Sequence, residues 1–356
     1  MTGTYLIYNS ILLFASFFAY CVQQVDNKRQ ECFYRIMVFL VLWIPASLRY
    51  GIGTDYFSYL SIYEHIDWYA DDLETGYAWL NQLFHSLQLG HECLFATVAG
   101  ITYAPLCFGL PKKGYAWWML FYVLTLYLGS YTLMRQSIAI SISLYASVQL
   151  LQGHCKRYLV SIVLASLFHT SALLLFFAFI LKYMNFNRWN ALLIAVGGII
   201  FIFRFNFISI LFESELFFNS TYGDYAFSSF NRETEIGSGL GVVVKCMIPC
   251  IFIFLSNKIQ NTEKGNGFLV GMSIAYLLAI SLSVKVHIFN RLVDAVSFVG
   301  VLEIGIIGMS RLRYRKVLLL FLFCLSVLTF EYTIANAQIS KSEGGGISPY
   351  VSLFNR

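Results

Sequence analysis

Apolar runs of similar length recur from one end of this chain to the other, and that recurrence constrains the fold more than any single motif. They fall at residues 4–22, 33–49, 92–110, 115–131, 132–150, 190–212, 240–256, 267–286, 291–310 and 317–335, separated by polar or turn-rich stretches. A bilayer core needs about 20 mostly apolar residues per helical span, and its backbone polar groups must be satisfied internally. The runs are continuous rather than alternating, so helices are predicted. Composition agrees: 58% of the 356 residues are apolar and only 12% charged, where a soluble domain carries about 25% charged residues. Mean hydropathy is +0.67. A soluble core, a disordered chain and a coiled coil are excluded. The predicted fold is all-α, a polytopic integral membrane protein of about 10–11 transmembrane helices that forms one membrane domain over residues 1–356.

The first run is preceded by no basic stretch and followed by no small-residue exit site, so it reads as a retained helix rather than a cleaved signal. Cysteines at 21, 32, 93, 107, 155, 246, 250 and 324 lie mostly inside apolar runs and form no CxxC pair. They read as small apolar side chains. The acidic loop residues show no metal-ligand spacing either, so neither a metal nor a cofactor is expected.

Lys28/Arg29/Arg35, Lys112/Lys113, Lys156/Arg157, Lys182/Arg188, Lys258/Lys264 and Arg311/Arg313/Arg315/Lys316 mark the inward loops by the positive-inside rule. The run 158–181 is awkward, because a crossing there puts one set of basic loops on the wrong side. A re-entrant hairpin bent near His169, Thr170 and Ser171 removes the conflict with two limbs too short to span. The alternative is an ordinary crossing that violates the rule. With the hairpin, both termini face outward. The larger outward segments are then a loop over 50–91, a loop over 213–239 and a tail over 336–356. Within the first, Tyr77, Leu80, Leu83, Phe84 and Leu87 recur at helical spacing, which predicts a short amphipathic helix over 76–90 at the outer interface.

Charges at the ends of apolar runs carry the most information, since Arg, Lys or Asp at a helix centre costs about 2.5–3.5 kcal/mol. Arg49, Arg135, Arg204, Lys245, Lys285, Arg291, Asp294 and Glu331 all fall near the outward ends of their helices; Glu303 alone lies deeper. Lysines near helix ends snorkel without further role, and Arg291 with Asp294 form a potential intrahelical pair. Arginine, however, recognises phosphate through a planar, permanently charged fork. Several arginines around one outward cavity point to an anionic group held at the lipid surface, such as a diphosphate. The first outward loop adds carboxylates and aromatic rings, the residue types of sugar sites.

Five strings in order resemble the EpsG family of bacterial exopolysaccharide and O-antigen polymerases, the Wzy-type proteins: RYGIGTDYFSY from Arg49, ETGY from Glu74, RQSIAISISL from Arg135, LFHTSAL from Leu167, and Pro349-Tyr350. The resemblance implies a multispan glycosyltransferase of the bacterial inner membrane, acting on its outer face. It would join oligosaccharide repeat units carried on undecaprenyl diphosphate, in polysaccharide or lipopolysaccharide biosynthesis. It implies site positions at Arg49, Asp55, Glu74, Arg135, His169 and Arg291. In the roles expected of them, Arg135 and Arg291 bind diphosphate, with Arg49 and Arg204 supporting. Asp55 is placed first as general base, with Glu74 and His169 as alternatives. Tyr56, Tyr59, Tyr77 and Gln136 are the expected sugar contacts. Expected partners are undecaprenyl-diphosphate-linked glycans, membrane lipids, and a chain-length regulator and flippase of the same pathway, with no nucleic acid. Competing readings are a lipid-linked oligosaccharide flippase or transporter, a membrane O-acyltransferase, and an O-antigen ligase. A transporter would show internal pseudo-symmetry, which the sequence lacks.

Overall fold

The computed structural model describes residues 2–205, 240–259, 266–336 and 346–355. The structure is all-α, and no strand forms among the described residues. Each of the ten apolar runs is helical where described. The run 190–212 is described only to residue 205, and the expected loop 213–239 lies outside the described residues. Among the described residues, seven helices are long and apolar enough to cross a membrane: Thr2–Gln24, Lys28–Leu48, His91–Gly109, Gly241–Ile259, Gly267–Lys285, His287–Met309 and Arg315–Asn336.

Two further runs take forms that apolarity alone does not anticipate. Residues 115–131 begin as an α-helix over Tyr115–Tyr122, widen into a π-helical turn over Val123–Tyr127, and tighten to 3₁₀ over Leu128–Tyr131. Met134–Leu151 is helical and buried on nearly every side, including Gln136, Ser137, Ser141, Ser143, Ser147 and Gln149. Small polar residues let neighbouring helices approach closely and bond across, so this helix is an interior one.

The chain forms two compact units, Met1–Phe176 with Ile304–Arg356, and Phe177–Glu303. In the first, Thr2–Gln24 packs on Lys28–Leu48, which packs on His91–Gly109, then Met134–Leu151, then Cys155–Ser166. One end of this unit gathers basic turns. Lys112 Nζ reaches Asp26 at 3.3 Å, and Arg35 donates to the carbonyls of Cys107 and Leu110 at 2.8 and 3.0 Å. The other end holds Arg49, the 50–91 segment and the start of Met134–Leu151.

Chain reversal over 158–181 is visible in one bond. Tyr158 donates its hydroxyl proton to the Leu175 carbonyl at 2.5 Å although the two are 17 residues apart, which a continuous helix would separate by about 25 Å. The Cys155–Ser166 helix stops, His169 is extended, and a short apolar helical stretch over Thr170–Tyr183 follows. This is the expected hairpin, with its bend at His169.

In the second unit, Lys285 Nζ donates to the carbonyls of Ile202 and Phe205 at 2.9 and 3.1 Å. It thus caps the Arg188–Arg204 helix, whose last carbonyls would otherwise lack donors. Glu303 is fully buried and accepts a hydrogen bond from Ser273, while its Oε2 has no partner. The one deep charge of the sequence therefore faces protein, as intramembrane carboxyls do.

Candidate active site

The expected amphipathic helix forms over Thr75–Ser86, with Tyr77, Ala78, Leu80 and Asn81 buried. Leu87, expected on the same stripe, is 59% exposed because the helix has already ended. Glu74 stands immediately before its first turn. The Glu74 carbonyl accepts from the amides of Tyr77 and Ala78, both at 2.9 Å, while its carboxylate makes no capping bond. That carboxylate is therefore available to reach outside its own helix.

It reaches two partners far away in sequence. Arg135 Nη1 donates to Glu74 Oε2 at 2.6 Å, and His169 Nδ1 lies 2.9 Å from Glu74 Oε1. All three side chains are mostly enclosed, at 14% exposure for Glu74, 27% for Arg135 and 17% for His169. Burial pushes the Glu74 carboxyl up, but the His169 hydrogen bond and the Arg135 charge outweigh it and hold the group down at about 2. Glu74 is thus a carboxylate throughout the neutral range.

A glycine makes this meeting possible. Gly76 N donates to the Leu167 carbonyl at 2.8 Å, and a Cβ on Gly76 would sit 2.7 Å from that same oxygen. The approach docks the start of the Thr75–Ser86 helix onto the hairpin bend, two residues along each segment from the Glu74–His169 contact. No other residue type permits so close a backbone.

Arg135 occupies the first turn of Met134–Leu151, whose N-cap Leu133 offers no side-chain bond. Helix N-termini carry partial positive charge, so a cation there adds to a field already suited to an anion. Its guanidinium lies 5.8 Å from the Tyr77 ring centroid, and its Nε is buried without a partner. Tyr59 is electrostatically coupled to it, and burial raises the Tyr59 hydroxyl against the lowering effect of that arginine.

The other expected site residues divide clearly. Asp55 is partly buried, with Thr54 Oγ1 at 3.1 Å, on the turn before the Tyr56–Glu64 helix. Tyr56, Tyr59 and Tyr77 are 1%, 6% and 0% exposed and belong to one core cluster with Leu94, Phe95, Met134 and Ile138. Their rings pack on protein, and that of Tyr77 lies near the Arg135 guanidinium. Burial also pushes the Tyr56 hydroxyl up to about 12. Gln136 is buried at 5%. Arg49 is 3% exposed, donates to the Ala46 carbonyl, and lies over the Tyr131 ring at 5.0 Å. Arg204 and Arg291 belong to the second unit, where both side chains are exposed. Of the expected catalytic and diphosphate positions, Glu74, Arg135 and His169 are the three joined in direct contact. Gly76 escaped sequence reasoning, although its place inside ETGY was a signal: a glycine in the first turn of a helix is costly unless something approaches it.

No curated protein and no solved structure matches the chain. A protein-family model does match, over residues 32–352, and by that match the chain belongs to the EpsG family.

Proposed function

We propose that this protein polymerises lipid-linked glycans, transferring a growing oligosaccharide from undecaprenyl diphosphate to a sugar hydroxyl of the next lipid-linked repeat. Membership of the EpsG family and the membrane-spanning helices support a polysaccharide-polymerase type of protein. The observation that carries the finer reading is the bridge of Glu74 between Arg135 and His169. Such a transfer needs a base for the attacking hydroxyl and positive charge for the departing diphosphate. His169, held at Nδ1 by a carboxylate, presents Nε2 to accept the hydroxyl proton. The acceptor oxygen bonds to the anomeric carbon as the carbon–oxygen bond to diphosphate breaks. The proton rests on His169, stabilised by Glu74, and the diphosphate leaves as an anion towards Arg135. Asp55, on the adjoining turn, is then a sugar-orienting group rather than the base.

In this reading the site faces the outer side of the bacterial inner membrane, where a flippase delivers substrate and a chain-length regulator acts on product. The test is the purified protein in lipid nanodiscs with synthetic undecaprenyl-diphosphate repeat units, scored for chain lengthening and release of lipid diphosphate. Elongation is expected. No elongation with the correct repeat, together with lipid movement across liposomes, would favour a flippase; release of glycan onto a non-repeat acceptor would favour a ligase.

A further inference from the structure

Residues 346–355 return to the site end of the first unit and bond there to three separate elements. The Lys28–Leu48 helix ends within the fold, and the last carbonyls of any helix lack intrahelical donors. Here Pro45 O accepts from the Tyr350 hydroxyl at 2.8 Å, Leu48 O accepts from Leu353 N at 2.8 Å, and Ala46 O accepts from Arg49. Beyond the helix end, Arg49 pairs antiparallel with Ser352, Tyr50 N donates to Val351 O at 2.9 Å, and Gly53 N donates to Gly346 O at 3.1 Å. The first helix holds the opposite edge. Tyr8 donates to Ile347 O at 2.7 Å, Tyr350 N donates to Thr4 Oγ1 at 2.9 Å, and the Tyr8 and Tyr350 rings meet edge to face at 5.9 Å. Ile347 and Ser348 are 5% and 2% exposed, so the segment is built into the fold rather than laid over it.

The bonds continue towards the site. Gly53 has φ +102°, and a Cβ there would overlap the Tyr131 carbonyl. Tyr131 ends the 3₁₀ turn that leads into Arg135 three residues before Met134–Leu151 begins. The Arg49 guanidinium lies over the Tyr131 ring at 5.0 Å. The turn also carries Asp55, whose carbonyl accepts from Tyr59 N at 2.9 Å, and Tyr59 is coupled to Arg135. Both the ring packing and the backbone therefore link the returning segment to the arginine of the site.

We propose that residues 346–355 form a positioning strap for the active site, with Tyr350 as its principal positioning residue. The strap fixes the Arg49–Asp55 turn, and through Gly53 and Tyr131 it sets where Arg135 stands. Arg49 then acts by holding this junction rather than by touching diphosphate. The inference rests on the polymerase reading for its kinetic consequence, and the experiment separates the two.

Tyr350→Ala and Tyr350→Phe are compared with the parent by hydrogen–deuterium exchange, by affinity for undecaprenyl diphosphate alone, and by polymerisation rate per folded molecule. Tyr350→Ala should raise exchange at the amides of Tyr50, Gly53 and Leu353, weaken undecaprenyl diphosphate about tenfold and lower kcat at least as much. Tyr350→Phe keeps the ring on Tyr8 and deletes only the bond to Pro45. It should lose about fivefold, the worth of one such bond, and it decides the matter if the alanine variant fails to accumulate. Faster exchange with unchanged affinity and unchanged kcat per folded molecule would show a purely structural segment and overturn the proposal. Unchanged exchange would overturn it as well. If the parent protein itself does not elongate, the polymerase reading fails, and the strap stands or falls on the loss of undecaprenyl diphosphate affinity alone.

Discussion

Replacing Glu74 by Gln probes the whole site with the smallest change in shape. The carboxylate offers two oxygens to two donors, whereas the amide offers one and turns an N–H₂ towards either Arg135 or His169. The structure sets a scale for the loss. Lowering of the Glu74 carboxyl from 4.5 to about 2 corresponds to about 3 kcal/mol of preference for the charged form, or about 2 kcal/mol once discounted for solvent screening. That is on the order of 30-fold in the population of the arranged site. The rate of elongation should fall by at least this factor, because loss of an oriented base costs about 10²–10⁴ in general. Single-turnover polymerisation in nanodiscs measures it directly. The sign of the pH effect follows from the same shift. A carboxyl held lower in the folded state stabilises fully above about 4.5, its ordinary value, and that contribution is lost as the pH falls through about 2. The parent protein should keep its Glu74-dependent stability at pH 5, and the Gln variant should lack this increment at neutral pH. Parent-like rates in the Gln variant, with equal stability at pH 7, would refute the assignment of Glu74 as the link between base and cation.

Three other outcomes test the remaining geometry. Arg135→Ala should abolish polymerisation while membrane insertion, followed by detergent extraction and gel filtration, persists; normal chains from this variant would remove the diphosphate assignment. Gly76→Ala forces a Cβ to within 2.7 Å of the Leu167 carbonyl. Relieving that overlap costs about 1–3 kcal/mol and moves Glu74 away from His169, so activity should drop at least tenfold, and a fully active variant would show that the contact is dispensable. In a background lacking the native cysteines, Arg157→Cys and Lys182→Cys should be labelled from the same side of the membrane, and labelling from opposite sides would show a true crossing.

Much of this fold was legible because hydrophobic burial in a bilayer is written residue by residue along the chain. The apolar runs are helical where the structure describes them, and the parity of basic loops called for a chain reversal within 158–181. The interior status of Met134–Leu151 was less visible, since its serines read equally as a weak span or as a buried one until its neighbours are placed. The individual residues Glu74, Arg135 and His169 were also readable, Arg135 as a charge at the end of an apolar run, Glu74 and His169 within the ETGY and LFHTSAL strings. Their meeting was not, for Glu74 lies 61 residues from Arg135 and 95 from His169. No local periodicity spans such distances. The aromatic residues show a different limit: Tyr56, Tyr59 and Tyr77 have the composition of a sugar platform, but tyrosine serves cores and surfaces alike, and these three are buried in one core cluster. The return of residues 346–355 to Arg49 left no local trace either, because backbone carbonyls that need donors look the same in every sequence.

On the polymerase reading proposed above, the arrangement of these three residues also accounts for a carboxylate beside an arginine assigned to diphosphate, where it competes with substrate. A cation in the first turn of a helix opposes the local dipole, and an enclosed guanidinium without an anion is costly. Glu74 offsets both while the site is empty. When a diphosphate, with greater charge and three-dimensional access to the guanidinium fork, takes over Arg135, Glu74 is left facing His169 alone. The proton released by the attacking hydroxyl then arrives at an imidazole whose nearest charge is an unshared carboxylate. On that reading, arrival of the leaving group at Arg135 and acceptance of the proton at His169 are coupled through one side chain.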